Sequence, residues 1–175
     1  MELEAPATAC RLESERLVLE PLRSEHAGEL APVLGDAALH HYIGGRPPDA
    51  AEVRARVARQ VAGRSPDGLE RWLNWTVRER KSGQVVGTVQ ATVTGPGGCA
   101  VAELAWVLGI AHQRQGFARE AAGLVASWLH ARHMTLRAHI HPGHRASNAV
   151  ARSIGLRPTD VIKDGERRWE SPRRG

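Results

Sequence analysis

The chain has 175 residues, of which 42% are hydrophobic, and a formal net charge of +5 at pH 7. The length fits one domain, and the hydrophobic fraction excludes a chain that is disordered throughout. No window approaches the eighteen or so consecutive apolar residues of a membrane span. Residues 1–10 lack a basic segment and a long apolar run, so we expect no signal peptide there.

The two cysteines, Cys10 and Cys99, are too few and too isolated for a disulfide framework or a cysteine metal site. We therefore expect a reducing, cytoplasmic setting. The positive charge is almost all arginine and is spread along the chain, as is typical of a solvated surface. Because no aromatic residues alternate with these arginines and no known RNA motif is present, the sequence does not favour nucleic acid as a partner.

The first half of the chain predicts two helices between a first strand and a set of three antiparallel strands. Alternating side chains mark the strands, and Ser24 and Asp49 are expected to cap the two helices. The predicted elements are a strand over 16–22, helices over 25–34 and 50–62, and strands over 71–80, 85–94 and 99–108. Residues 40–45 are expected to form a turn.

The second half predicts two more helices, each followed by a strand or a hairpin. These elements are a helix over 119–132, a strand over 135–141, a helix over 145–154 and a hairpin over 161–169. Gly155 is expected to end the shorter helix, and Asp164 with Gly165 to form the hairpin turn. We therefore expect a single α+β domain over residues 1–175, with its core over about 11–169.

A short glycine-bearing loop lies between an apolar strand and the long middle helix. The first turn of a helix has amide N–H groups without internal partners, and the helix dipole adds partial positive charge there. Gly116 has no side chain to hinder a phosphate, and Arg114 and Arg119 place positive charge beside it. The loop predicts an anion site, whereas a glycine taken alone is as well explained by the backbone turn.

The spacing Gln113-x-x-Gly116-x-Ala118 resembles the acyl-CoA pyrophosphate loop of the GNAT superfamily of N-acetyltransferases. The order of the predicted elements resembles that fold as well. The resemblance covers roughly residues 11–169.

A second segment, from His144 to Ala151, is similar to the branch of that superfamily related to ribosomal-protein N-terminal acetyltransferases. The chain departs from this branch at His144, where the family commonly has an asparagine that contacts the cofactor. An asparagine follows later, at Asn148. Which of the two faces the cofactor is left open by the sequence.

The resemblance implies α/β/α layers around a mixed sheet in which two parallel strands splay apart and hold acetyl-CoA as co-substrate. Here these strands are 100–108 and 135–141. It also implies that amides near Val107 and Leu108 bond pantetheine or polarise the thioester. The residues that would hold the pyrophosphate are Gln113, Arg114, Gln115, Gly116, Phe117, Ala118 and Arg119.

Glu103 is the candidate general base because it lies in an otherwise apolar strand. In this role the carboxylate would be buried, since burial disfavours the charged form and so makes a carboxylate a stronger base. The alternative is a glutamate near the start of the strand that reaches solvent or pairs with an arginine. The two interpretations have about equal support from the sequence.

Ser147 is the candidate acid for the departing thiolate. Many relatives use a tyrosine one helical turn later, but Ala151 stands there in this chain. The alternative interpretation of Ser147 is a helix N-cap. Because a thiol with a pKa of about 8.5 leaves readily, a general acid is not required by the chemistry.

The cluster His139, His141 and His144 is similar to the metal motif of metallo-β-lactamase-like hydrolases. His139 and His141 lie on one face of a strand, so two ligands could converge. Gly143 replaces the aspartate of that motif, and no histidine or cysteine follows to complete a site. The sequence therefore predicts no metal, and His139 or His141 is left as a secondary candidate for the base.

The resemblance implies an acetyl-CoA-dependent N-acetyltransferase that acts by direct transfer on a primary amine, either a protein N-terminus or a small molecule. Trp72 and Trp75 lie on opposite faces of one strand, so one of them is expected to face the acceptor. The alternatives are a non-catalytic CoA-binding or ribosome-binding module of the same fold and, with less support, the metal hydrolase. Many relatives form homodimers, but the sequence shows no diagnostic interface.

Overall fold

The computed structural model of the protein describes residues 6, 8–96 and 99–172, apart from the side chains of residues 42 and 43. Its strands are β1 (Leu12–Glu13), β2 (Leu17–Pro21), β3 (Glu70–Glu79), β4 (Val85–Thr94), β5 (Val101–Leu108), β6 (Thr135–Ile140), β7 (Arg157–Lys163) and β8 (Glu166–Glu170). Its helices are α1 (Ala27–Leu34), α2 (His40–Ile43), α3 (Ala50–Val61), α4 (Phe117–His130) and α5 (Arg145–Ser153). Within these residues the strands form one mixed sheet in the order β1-β2-β3-β4-β5-β6-β8-β7.

Helices pack on both faces of this sheet because its central strands present apolar side chains in both directions. The larger core, on one face, joins Leu104 of β5 to Val125 of α4 and Ala151 of α5. A smaller cluster on the other face includes Leu30 of α1 and Val57 of α3. The predicted α/β/α layering is therefore confirmed.

The parallel strands β5 and β6 pair only at their beginnings. The register joins Val101 to Thr135 and ends at the pair Glu103–Arg137. Both strands continue beyond that pair, β5 as far as Leu108, and they remain paired to β4 and β8 on their outer sides. The sheet therefore opens into a gap between β5 and β6, which confirms the predicted splay.

The two predicted helix caps have opposite outcomes. The Asp49 carboxylate accepts the amide of Glu52 at 2.8 Å, and the Glu52 side chain accepts the Asp49 amide at 2.9 Å, so α3 begins with a capping box. The prediction for Ser24 is wrong, because a 3₁₀ turn over Ser24–His26 precedes α1. There the ring of His26 accepts the Arg23 amide at 3.2 Å.

Other differences concern short or exposed elements. The two-residue β1 is too short to produce a sequence pattern, and β7 begins earlier than expected because its mostly exposed residues show no apolar alternation. The expected turn over 40–45 contains the four-residue helix α2. No helix in the described part of the chain is long and apolar enough to cross a membrane.

Candidate functional site

The loop before α4 has an unusual backbone. Arg114 and Gly116 both have positive φ, 61° and 80°, and the fourteen-residue helix α4 begins immediately after Gly116. The amides of Phe117, Ala118 and Arg119 belong to the first helical turn and so have no acceptor within the helix. The exposed loop therefore presents a cluster of N–H donors at the positive end of the helix dipole.

The glutamine side chains of this loop bond the loop's own backbone. Gln113 Nε2 donates to the carbonyl of Leu108 at 3.1 Å, and Gln115 Nε2 donates to the carbonyl of Ala111 at 3.3 Å. These bonds tie the loop to the end of β5. The two glutamine side chains thus shape the loop that is the candidate anion site.

Arg16 contacts this loop from a distant part of the chain, which the sequence did not indicate. Its Nη1 donates to the carbonyl of Gln115 at 2.8 Å, and its Nε donates to Glu120 at 2.8 Å. Its guanidinium also lies 4.8 Å from the centroid of the Phe117 ring. The residue is 99 positions from Gln115 in the sequence, so only the pairing of β2 into the sheet brings them together.

Successive backbone amides of β5 point in opposite directions, toward β4 or toward the gap. Just past the strand, the Gly109 amide donates to Val86 at 2.8 Å, on the β4 side. The register between β4 and β5 is regular, so the amide of Leu108 faces the gap and that of Val107 faces Thr88. This geometry favours Leu108 over Val107 for contact with a molecule in the gap, and both remain predictions.

Glu103 reaches solvent, as in one of the two interpretations that the sequence left open, and its partner is a histidine. Its side chain is 49% exposed because it lies on the sheet face opposite α4, and it accepts a hydrogen bond from His139 Nδ1 at 3.0 Å. Glu103 is the last paired residue of β5, and His139 is two residues past the last paired position of β6. The two side chains therefore bridge the closed end of the gap.

Trp72 lies on the same sheet face as this pair. The register places Trp72 opposite Thr92, and Thr92 opposite Glu103. Trp75 instead packs in the core, where its ring meets Trp128 edge-on at 5.7 Å. Of the two tryptophans, Trp72 is thus the one on the side of Glu103.

At the start of α5, His144 caps the helix with its side chain. Nδ1 accepts the amide of Ser147 at 3.3 Å, so in the neutral ring Nε2 carries the proton and donates to Ser147 Oγ at 3.2 Å. Burial lowers the pKa of His144, which favours this neutral form. The N-cap interpretation of Ser147 is wrong, because His144 fills that position.

Asn148 has a different environment from His144. It is buried, and its Nδ2 donates to the carbonyl of Pro142 at 3.0 Å. This bond holds the turn between β6 and α5. The arrangement favours His144, which is only partly buried, as the residue that faces a ligand.

A family model described as an acetyltransferase (GNAT) domain matches residues 16–157 of the sequence. The chain belongs to the GNAT acetyltransferase family. This GNAT protein is therefore an acetyl-CoA-dependent N-acetyltransferase, as the resemblance implied. A comparison with curated proteins found no match.

Solved GNAT structures have the same fold at low sequence identity. An acetyltransferase from Agrobacterium tumefaciens is 23% identical with a TM-score of 0.71, over 94% of this chain and 95% of that chain. RimL, a ribosomal L7/L12 alpha-N-protein acetyltransferase in complex with coenzyme A, is 16% identical with a TM-score of 0.73, over 91% and 96%. The ribosomal-protein-S5-alanine acetyltransferase from Vibrio fischeri is 17% identical with a TM-score of 0.70, over 92% and 94%.

The loop and gap of this GNAT protein fit acetyl-CoA. A side chain at Gly116 would meet Arg16 Nη2 at 3.3 Å, and the positive φ there further disfavours any other residue. The absence of that side chain leaves the first-turn amides of α4 open to a phosphate. The adjacent gap runs along unpaired edges of β5 and β6, as an extended chain requires.

The metal hydrolase alternative has no support from the arrangement of the histidines. Within the described residues, no group of three or more His, Cys, Asp or Glu side chains could hold a metal ion. His139 bonds Glu103, and His144 bonds Ser147. His139 and His144 thus belong to separate hydrogen-bonded pairs.

Proposed function

We propose that this GNAT enzyme transfers an acetyl group directly to a primary amine while acetyl-CoA and the acceptor are bound together. The observation that carries the proposal is the gap between β5 and β6, which opens at Glu103–Arg137. The gap lies beside the anion-binding loop on one side and the Glu103–His139 pair on the other. A covalent enzyme intermediate is not favoured, because neither cysteine belongs to the proposed site.

The residues that would hold acetyl-CoA divide by chemistry. The amides of Phe117, Ala118 and Arg119 donate to the pyrophosphate, and the exposed side chains of Arg114 and Arg119 add positive charge. The Leu108 amide donates into the gap. Acetyl-CoA supplies the thioester carbonyl that the amine attacks.

The Glu103–His139 pair would accept the proton of the amine. Because His139 Nδ1 donates to the carboxylate, the neutral ring has its lone pair on Nε2 and can take a proton there. The carboxylate orients the ring and stabilises the cation that forms. Glu103 is itself half exposed and can also accept a proton directly. We therefore treat the two groups as one unit.

Ser147 would donate a proton to the departing thiolate. Its Oγ accepts a hydrogen bond from His144, which leaves the hydroxyl proton available for donation. Ala151, where many relatives have a tyrosine, is buried and cannot take this role. Ser147 is thus the general acid that we propose for this chain.

We place the acceptor on the sheet face of Glu103 and Trp72. We propose that it is a peptide N-terminus in preference to a small molecule. Support comes from the similarity to RimL and the S5-alanine enzyme, which act on ribosomal proteins as their names state. We also propose a cytoplasmic location, in keeping with the two exposed free thiols. A homodimer remains to be tested by light scattering.

Thermal unfolding and thiol release together test the proposal. Acetyl-CoA at a hundredfold excess over its Kd is expected to stabilise the fold by about 2.7 kcal/mol, and zinc is expected not to do so. An amine and peptide panel should then release CoA thiol only when an acceptor is present. No stabilisation by millimolar acetyl-CoA would refute the binding site, and stabilisation without thiol release would indicate the non-catalytic module.

A further inference from the structure

A polar area interrupts the apolar packing between α3 and the sheet. Asn74, Thr88 and Gln90 project from β3 and β4 toward Arg56 and Gln60 of α3, and all five line a small cavity of about 10 Å³. Gln60 Nε2 donates to Gln90 Oε1 at 3.3 Å across this space. The cavity holds about one water-sized group. It can therefore take one oxygen of a polar group but not a whole molecule.

Among the described residues that line this cavity, Arg56 is the one cation and none is an acid. Within the described residues, Arg56 forms no ion pair and no hydrogen bond, although it is partly buried. Burial is the main cause that lowers the pKa of Arg56, nearby Arg59 adds to it, and no carboxylate opposes them. Glu52, one turn earlier, is already paired with Arg46.

Arg78 shows how this fold treats a structural arginine. It too is largely removed from solvent, but it bonds Glu20 at 3.2 Å and Glu29 at 2.8 Å, which raises its pKa. A guanidinium that is partly withdrawn from water and has no acid beside it gains from a carboxylate that supplies both charge and acceptors. Arg56 is therefore arranged for an anion that comes from outside the chain.

The cavity lies on the acceptor side of the proposed site. Gln90 is opposite Ala105 of β5, and Thr92 is opposite Glu103, so Gln90 and Glu103 are diagonal neighbours on one sheet face. Such neighbours are about 7–8 Å apart. A ligand that contacts both Gln90 and the Glu103–His139 pair therefore spans a distance of this order, which fits a short peptide.

We propose that Arg56, with Gln60 and Gln90, binds a carboxylate of a peptide acceptor whose amine lies at the Glu103–His139 pair. The carboxylate belongs to an acidic side chain at the second residue or to the C-terminus of a short peptide. Arg56 offers it a bidentate, charge-assisted contact. The inference rests on the proposed function, because it assumes that the acceptor enters on this face.

Matched peptides test this specificity. The pairs are Ala-Asp-Ala-amide against Ala-Asn-Ala-amide, and trialanine with a free carboxylate against trialanine amide. For one pair or both, kcat/KM should be about 10- to 100-fold higher for the acid member, as one charged hydrogen-bonded contact provides. Arg56→Gln should bring this ratio close to one, Arg56→Lys should keep part of it, and the matched control Arg54→Gln, at an exposed arginine of the same helix, should keep all of it.

The opposite results overturn the inference. They are a wild-type ratio near one for both pairs, an unchanged ratio in Arg56→Gln with native-like circular dichroism, or a raised KM for acetyl-CoA, which would assign the anion to the carrier. If neither peptide is acetylated, the side-chain Nε resonance of Arg56 in a ¹⁵N spectrum decides. It should shift with N-acetylated trialanine and not with its amide, and no shift overturns the proposal.

These outcomes are separable from failure of the proposed function. Stabilisation by acetyl-CoA and thiol release with simple uncharged amines test the enzyme without Arg56. If both succeed while the peptide ratios stay at one, the acetyltransferase stands and the carboxylate site does not.

Discussion

Glu103 and His139 are 36 positions apart in the sequence and meet at the closed end of the gap. The sequence indicated each of them separately, Glu103 as a buried base and His139 as a secondary one. The structure joins them and leaves Glu103 half exposed. A carboxylate that orients an imidazole is a known way to set the ring's tautomer and its basicity.

Glu103→Gln and His139→Gln are each expected to lower kcat by about 10²- to 10⁴-fold, the usual contribution of a general base. The double variant should be little worse than either single one, because the two groups act as a unit. Steady-state thiol release measures kcat, and calorimetry measures the affinity for acetyl-CoA, which should not change.

Glu25→Gln is the matched control, since Glu25 is a solvent-exposed carboxylate with a side chain 79% exposed. It should behave as the wild type. Turnover that survives in Glu103→Gln and His139→Gln alike would remove the pair from the mechanism. Loss in His139→Gln alone would make His139 the base without help from Glu103.

Ser147→Ala is expected to reduce kcat by only about tenfold, below the usual 10² or more for a general acid, because a thiol leaves readily without one. The reduction should be greatest for acceptors that do not limit the rate by binding. Rates measured across a pH range would show it, and a rate equal to that of the wild type at every pH would rule out the acid role.

At the scale of elements, the loop before α4 depends on both local and distant residues. Gly116 supplies the left-handed turn, and the glutamine side chains bond the loop's own carbonyls. Arg16, which immediately precedes β2, supports the loop through its contacts with Gln115 and Phe117. The proposed anion site thus depends on the sheet as well as on the motif.

Gly116→Ala is expected to destabilise the fold by about 1 kcal/mol, because alanine is strained at φ 80°. It should also weaken acetyl-CoA binding, because the new Cβ crowds the first-turn amides of α4 and lies only 3.3 Å from Arg16 Nη2. Denaturant unfolding and calorimetry measure the two effects.

Gly123→Ala in the same helix is the control. A Cβ at Gly123 meets nothing within 4 Å, so this change should stabilise the fold by about 0.5–1 kcal/mol and leave binding unaltered. Equal behaviour of the two variants would show that Gly116 has no special role in the loop.

At the scale of the whole molecule, burial lowers the pKa of two histidines, although for His26 the nearby Glu20 carboxylate acts in the opposite direction. His26 is 2% exposed beneath α1, where its Nδ1 lies 2.9 Å from Thr76 Oγ1, and His144 caps α5. Burial is the main cause that lowers the pKa of His26 below its ordinary 6.5. The unfolded chain therefore binds more protons than the folded one as the pH falls below that value.

The free energy of unfolding is expected to be fully retained above about pH 6.5 and to fall as the pH decreases from there through the folded pKa values of His26 and His144. Carboxylates such as Glu29, whose pKa is lowered from 4.5 by Arg78, act only at lower pH. Thermal unfolding from pH 7.5 to 5 measures the slope.

His26→Asn should remove a large part of this slope, because the asparagine oxygen can accept the Arg23 amide without titrating. His133→Asn, at an exposed histidine, should leave the slope as it is. A wild-type midpoint that does not change over this range would contradict the neutral, buried state of these rings.

What the sequence determined by itself was everything that depends on local order. Alternation, caps and turn residues were enough for most strands, for α3 with its Asp49 cap and for the Gly116 loop, and motif spacing was enough for the family. The prediction of one domain over residues 1–175 stays a prediction. Weak or exposed patterns, such as β1 and the starts of β7 and α1, were missed because nothing local specifies them.

Only the tertiary structure decided which side chains meet. Strands and helices distant in sequence produce the contact of His139 with Glu103 and the support of the loop by Arg16. They also form the cavity beside Arg56, whose described lining residues include no acid. Burial was decided at the same level, since Glu103 lies in an apolar strand yet on an open face of the sheet. The physical reason is that pairing and packing, which join residues far apart in the chain, set the distances and the exposure on which chemistry depends.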